Sequence, residues 1–276
     1  SRIGDDAPSS AGVPRRGSRG KPGEVLITAS EVTCRFGGLT ALKEVDVEVQ
    51  QGEILGIIGP NGAGKSTFFN VISGLLPATS GTVLYRDWDV SKGSLHSLSV
   101  KGVARTFQNI RLFGDMDVAE NLLVGAHQRC RRAVPALVAR TATVRRNEEA
   151  AQADARELLA FFGLWHERHR QARTLSYGHQ RRVEIARALM TLPEVLLLDE
   201  PAAGMNENET AELSDLILKI RDSGITVVLI EHDMSLLMRV SDRVVVLDHG
   251  EKIADGTPDD VRADARVLDA YLGAEV

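Results

Sequence analysis

The sequence predicts an α/β fold built around a parallel sheet, and three observations carry that prediction. The runs "EVLLLDE" (194–200) and "GITVVLIEHD" (224–233) are almost continuously apolar, the mark of strands buried on both faces. Helix-like segments alternate with them, as crossover connections between parallel strands require. A glycine-rich loop, "GPNGAGKS" (59–66), joins the strand-like "EILGII" (53–58) to the helix-like "KSTFFNVISGL" (65–75).

Taken in order, residues 1–23 are rich in Gly, Pro, Ser and Arg, have almost nothing to bury, and read as a disordered tail or linker. The folded unit is expected over 24–276. "EVLITASEVTCRF" (24–36) and "LKEVDVEVQQGEILGIIG" (42–59) alternate apolar and polar residues, with a turn at Gln51-Gly52. From about 94 to 175 there is little strand signal, whereas "NEEAAQADARELLAFFGL" (147–164) is plainly helical. This stretch is expected to form a mainly helical subdomain, leaving 24–93 and 176–276 as core and β subdomain. The basic run "RCRRAVPALVARTATVRR" (129–146) is read as a solvated face rather than a lipid-contacting one. Near the end, "DRVVVLDHGEKIADG" (242–256) reads as a hairpin around His249-Gly250. "TPDDVRADARVLDAYLG" (257–273) reads as a helix capped by Thr257, with Pro258 at its first position.

The chain has 276 residues, 43% of them hydrophobic and 26% charged, with a net charge of −5. That balance offers no basic field for nucleic acid, and no nucleic-acid partner is expected. No apolar run approaches the roughly 18 residues that span a bilayer, so any membrane role must come through another chain. Cys34 and Cys130 are far apart, match no metal or redox spacing, and fit a reducing cytosol.

Chemistry concentrates at three places. Gly59, Pro60, Asn61, Gly62, Ala63, Gly64, Lys65 and Ser66 fit G-x-x-x-x-G-K-[ST] between a strand and a helix. Glycines let backbone N–H groups curl around a phosphate chain, Lys65 meets the β- and γ-phosphates, and the Ser66 hydroxyl joins Mg²⁺. An incidental glycine turn would not sit so regularly between strand and helix. A nucleoside triphosphate, ATP, is the expected ligand. Asp199 and Glu200 end a buried strand at the edge where open α/β sheets bind ligands. Asp199 suits Mg²⁺, and Glu200 suits orienting or deprotonating an attacking water; the competing reading is a solubilising strand end. His232 ends another buried run; a lone histidine is usually structural, and its place beside the same edge favours a γ-phosphate contact.

A second anion-type feature, "TLSYGHQRRVEIARALM" (174–190), places Ser176 and Gly178 at the mouth of a helix. Together with Gln108 in "RTFQN", "LLLDEP" and "IEHD", it completes the ordered motifs of ATP-binding-cassette (ABC) ATPases, which the chain resembles from Glu24 onwards. The resemblance implies a P-loop NTPase fold with a RecA-like core, an antiparallel β subdomain and a helical subdomain. It implies two subunits, homo- or heterodimeric, sandwiching two ATP molecules head to tail. Phe36 would stack on adenine, and Lys65, Ser66 and Thr67 would bind phosphate and Mg²⁺. Gln108 would touch Mg²⁺ and sense the membrane partner, Asp199 would support Mg²⁺, Glu200 would be the catalytic base, and His232 would hold the γ-phosphate. Ser176 and Gly178 would serve the partner's nucleotide.

The family's commonest signature is LSGGQ, so Tyr177 and His179 depart from it; Asn206 stands where aspartate is usual. More finely, "GVARTFQNIRLFGDMDVAENLLVGAH", "LDEPAAGMN" and "DAYLG" resemble ATPase subunits of branched-chain amino-acid importers. Urea and amide importers and the lipopolysaccharide-export ATPase are also similar; "RTFQ" and "PAAGMN" favour the importers. The expected partners are a second ATPase subunit, an integral-membrane permease and, indirectly, a substrate-binding protein. The expected place is the cytoplasmic face of the cell membrane. A non-transport cassette acting on DNA or ribosomes is disfavoured by the single P-loop, the lack of heptads and the acidic balance. A P-loop kinase would leave the signature segment unexplained.

Overall fold

In the computed structural model, residues 3, 12–14, 21, 23–130 and 142–272 are described. A four-stranded antiparallel sheet is ordered β2-β1-β4-β5, from strands β1 (Val25–Phe36), β2 (Leu39–Gln50), β4 (Ser80–Tyr85) and β5 (Trp88–Asp89). A six-stranded sheet is ordered β10-β9-β3-β8-β7-β6. It comprises β3 (Ile54–Ile58), β6 (Val103–Arg105), β7 (Val195–Asp199), β8 (Thr226–Ile230), β9 (Arg243–Asp248) and β10 (Glu251–Gly256). All its neighbours run parallel except the β9–β10 hairpin, which turns at His249-Gly250 as expected.

Every residue of β3, β7 and β8 is buried, and alternation explains why both faces are apolar. Ile54, Leu196 and Val227 face one core; Leu55, Leu197 and Val228 face the other. The second core is closed by the antiparallel sheet and helix α1 (Lys65–Ile72). The first is closed by helices, including α3 (Val118–Cys130), α4 (Ala142–Phe161), α5 (Tyr177–Leu189), α6 (Glu207–Asp222) and α7 (Met234–Val240). Each fully buried Leu or Ile contributes about 1.5–3 kcal/mol relative to exposure. Among the described residues, no helix is long and apolar enough to cross a membrane.

The remaining helices are α2 (Leu95–Lys101), α8 (Pro258–Ala263) and α9 (Ala265–Leu272). Thr257 caps α8 by accepting from the Asp260 N–H, with Pro258 at the first turn.

Three details differ from the sequence expectation. The stretch 257–273, expected as one helix, is broken at Asp264, whose extended backbone (φ −74°, ψ 120°) ends α8 before α9 begins. The stretch 94–175 contains β6, which pairs with β7 as an edge strand of the parallel sheet. At three residues it is too short to show periodicity. In the N-terminal segment, Ile3 and Val13 are buried within the helix-side core and Pro14 is buried as well, so that stretch does bury side chains at three positions. Gly12, Lys21 and Gly23 are described too; the disorder expected for the other residues of 1–23 and the face expected of the basic run at 131–141 lie outside the described residues, as does Gly273 of the final motif.

Candidate active site

Four adjacent parallel strands end at one sheet edge, and each delivers a different group there. β3 runs into the loop 59–64, β8 into Glu231 and His232, β7 into Asp199 and Glu200, and β6 into Arg105 and Gln108. Sheet order, rather than sequence order, assembles the site.

The loop after β3 requires its glycines. Gly59 has φ +152°, and a Cβ there would overlap the Leu247 carbonyl oxygen. Gly64, at the N-cap of α1, has φ +99°; its Cβ would come 2.5 Å from the Ala41 carbonyl oxygen. The α1 N-terminus presents free N–H groups and the positive end of the helix dipole. Lys65 is buried, and its Nζ donates to the carbonyls of Gly59 at 2.6 Å and Pro60 at 2.9 Å. Burial pushes its pKa down, against the opposing pull of Glu200.

Beside this loop lies a cavity of about 470 Å³, lined by residues 61–67, by Phe36 and by His232. Thus the sequence-predicted Asn61, Gly62, Ala63, Gly64, Lys65, Ser66, Thr67, Phe36 and His232 share one space. Leu39, Thr40, Ala41 and His249 line it as well and were not foreseen. Gly59 and Pro60 lie just behind, accepting from Lys65. The Phe36 ring is 48% exposed, free to take a planar group against it.

Glu200 sits in the left-handed region at φ +44°, strain on the order of 1–3 kcal/mol that turns its side chain out of the strand. One carboxylate oxygen accepts from Gln108 Nε2 at 2.8 Å; the other lies 2.7 Å from His232 Nε2. Two of the predicted residues therefore converge on a third, the buried carboxylate of Glu200. Asp199 is also buried, and one of its oxygens pairs with Arg105 at 2.8 Å.

Ser176 caps α5, its hydroxyl accepting from the His179 N–H at 3.3 Å. Gly178 packs so closely that a Cβ would meet the Glu209 carboxylate at 2.7 Å. Neither residue lines the cavity of its own chain. Asn206 caps α6 in a reciprocal pair with Glu209, a role that needs an acceptor oxygen and no charge. His179 Nδ1 lies 3.3 Å from Glu167.

Three neighbours of the site were missed. Arg105 bridges Ser73 and Asp199 while stacking near Phe69 and Phe107. Arg181, fully buried, donates to the carbonyls of Phe107 and Gln108. Glu231, also buried, accepts from the Ala202 and His232 N–H groups. Burial raises its carboxyl pKa despite these donors. All three lie within quoted motifs, so membership in those motifs was the one available signal; their partners are mostly distant in sequence.

The ABC transporter family profile matches residues 42–203, and the profile of the branched-chain amino acid ATP-binding cassette transporter matches residues 251–276. The chain is 45% identical over 249 residues to the high-affinity branched-chain amino acid transport ATP-binding protein LivG of Escherichia coli (strain K12), covering 90% of this chain and 98% of that one. It superposes on an ATP-binding cassette of an ABC transporter in its ADP conformation with a TM-score of 0.77 and 31% identity, covering 91% and 99% of the two chains. A dimeric cassette in a post-hydrolysis state, bound to ADP and phosphate, gives a TM-score of 0.68 at 26% identity, covering 84% and 99%.

Proposed function

The chain belongs to the ABC transporter family as one of its nucleotide-binding ATPase subunits, and from that premise we propose that it drives an importer of branched-chain amino acids. It works on the cytoplasmic face of the membrane, head to tail with a second cassette subunit and beneath an integral-membrane permease served by a substrate-binding protein. The cargo rests on the likeness to LivG and on the C-terminal profile at 251–276. The observation that carries the mechanism is the convergence of Gln108 and His232 on Glu200, with His232 also lining the glycine-bounded cavity.

In this reading Phe36 stacks on adenine, and the loop from Gly59 to Thr67 cradles the phosphates. Lys65 neutralises their charge. By donor chemistry the residues fit Mg²⁺: the Ser66 hydroxyl lines the cradle, and Asp199 and the Gln108 amide, at the ends of neighbouring strands, would add hard oxygen donors. When bound, the ion neutralises charge on the phosphate oxygens. Glu200 accepts a proton from the attacking water, and His232 holds the γ-phosphate. Ser176 and Gly178 complete the partner's site, which explains their absence from their own cavity. The segment Asn109–Asn121 transmits the state of the site to the permease; Phe113 and Met116 in it are exposed at 48% and 37%. A second cavity of about 420 Å³, flanked by Phe107, Arg111, Phe113 and Arg187, gives a permease loop a place to seat.

Replacing Glu200 by Gln keeps the shape and removes the base. Turnover is expected to fall on the order of 10²–10³-fold, while ATP binding persists and dimers accumulate on a sizing column. Wild-type hydrolysis in that variant overturns the assignment. Reconstitution with permeases and a leucine-loaded binding protein tests the cargo: no stimulation of ATPase activity overturns it.

A further inference from the structure

Tyr177 and Arg181 stand on successive turns of α5 and connect the signature segment to the hydrolytic carboxylate of the same chain. Arg181 is fully buried, and its guanidinium is shared among four groups. One terminal nitrogen donates to the Phe107 carbonyl and to Glu184, each at 2.7 Å. The other donates to the Gln108 carbonyl at 2.7 Å and to the Tyr177 hydroxyl at 3.2 Å. Glu184 in turn accepts from the Arg111 N–H at 3.3 Å, gripping the same segment three residues further on. The Gln108 side chain then reaches Glu200. At the outer end Tyr177 is 42% exposed, one residue after Ser176, and its ring covers Gly204 in the turn before α6. A rigid fork holding two successive carbonyls fixes the position of the intervening residue, because neither can shift without breaking a charge-assisted bond.

We propose that Arg181 is a positioning residue for Glu200 of its own chain, transmitting engagement of Ser176 and Tyr177 by the partner's nucleotide to Gln108 and thence to that carboxylate. Each subunit thereby senses the nucleotide of the opposite site and sets its own hydrolytic group in response. The departure of Tyr177 from glycine supplies the hydroxyl that links the exposed signature to Arg181. This inference rests on the head-to-tail dimer of the preceding section.

Mixed dimers of two differently tagged full-length copies test it with Mg-ATP. One copy carries Glu200→Gln, leaving hydrolysis to the intact copy's Glu200. Arg181→Lys keeps the charge and loses the fork. Placed on the copy with intact Glu200, it is expected to slow kcat about tenfold more than when placed on the Glu200→Gln copy, with KM for ATP moving less than about twofold. Equal slowing in the two arrangements, greater slowing from the Glu200→Gln copy, or no slowing in either overturns the proposal. Tyr177→Phe, which removes one hydroxyl from a half-exposed ring, is expected to repeat the asymmetry at smaller size and guards against misfolding of the lysine variant. Ser176→Arg on the Glu200→Gln copy separates the two readings. It is expected to abolish the residual activity, and if it does not, the head-to-tail arrangement itself falls.

Discussion

The two halves of the site are built by opposite means. In the phosphate cradle, Lys65 reaches back only six and five residues, to Gly59 and Pro60. Its shape follows from glycine backbone angles and the start of one helix. In the hydrolytic half, Arg105 reaches Asp199 across 94 residues, Gln108 reaches Glu200 across 92, and Arg181 reaches Phe107 across 74. A local cradle binds whenever its strand and helix are folded. A carboxylate held by side chains from two distant segments is competent only while those segments keep their relation. Binding is therefore built to be constant and hydrolysis to be conditional, which is what an engine that must wait for its cargo requires.

The largest effect that could break this division concerns Arg105, whose side chain is 4% exposed against 12% for Asp199. Arg105→Met leaves a buried carboxylate without its counter-charge and is expected to cost about 3–5 kcal/mol of stability, read as a lowered urea midpoint. Nucleotide affinity of the folded fraction should change little, since Arg105 does not line the cradle cavity. A variant that binds ATP poorly while unfolding like wild type would merge the two halves.

Lys65→Ala is the complementary test. Losing a charge-assisted contact to phosphate is expected to weaken ATP binding by about 1.5–3 kcal/mol, roughly 10–150-fold, measured by calorimetric titration. Stability should hold or rise, because a buried ammonium whose charge is disfavoured by its surroundings has been removed. A large loss of stability would show that the lysine props the loop rather than serving a ligand.

The same contrast decides what was legible in the sequence. Residues 59–66 announce the cradle because the hydrogen bonds of Lys65 are local, although Leu247 and Ala41, which crowd Gly59 and Gly64, are distant in sequence. The parallel core was legible because strands buried on both faces read as unbroken apolar runs. Ser176 could be read as a helix cap, and Thr257 likewise, since caps act within three residues. β6 escaped because three residues carry no period, and Arg105 escaped with it because an arginine entering a core declares itself only through a distant aspartate. Asn206 looked like a loss of charge until its capping bond to Glu209 showed that only an acceptor oxygen is used. Ile3 and Val13 are two apolar residues in a polar stretch, and nothing local distinguishes them from exposed ones.

Glu231 sharpens the comparison at the smallest scale. It belongs to the long-range half, accepting from Ala202 N–H across 29 residues and from its neighbour His232. Burial disfavours its charged form, the Glu200 carboxylate adds to this more weakly, and the backbone donors only partly offset both, so its pKa is raised in the folded chain. Above the ordinary carboxyl value near 4.5, the folded state therefore holds more proton than the unfolded one. Stability contributed by this group then falls as pH rises through that window. Gln at this position keeps an acceptor for Ala202 and cannot ionise. Glu231→Gln should thus gain on wild type between about pH 5 and about pH 8, by less than either effect above, in paired urea titrations at the two ends. A gap between the two proteins that stays flat or narrows with pH would mean that the amide donors outweigh burial at Glu231.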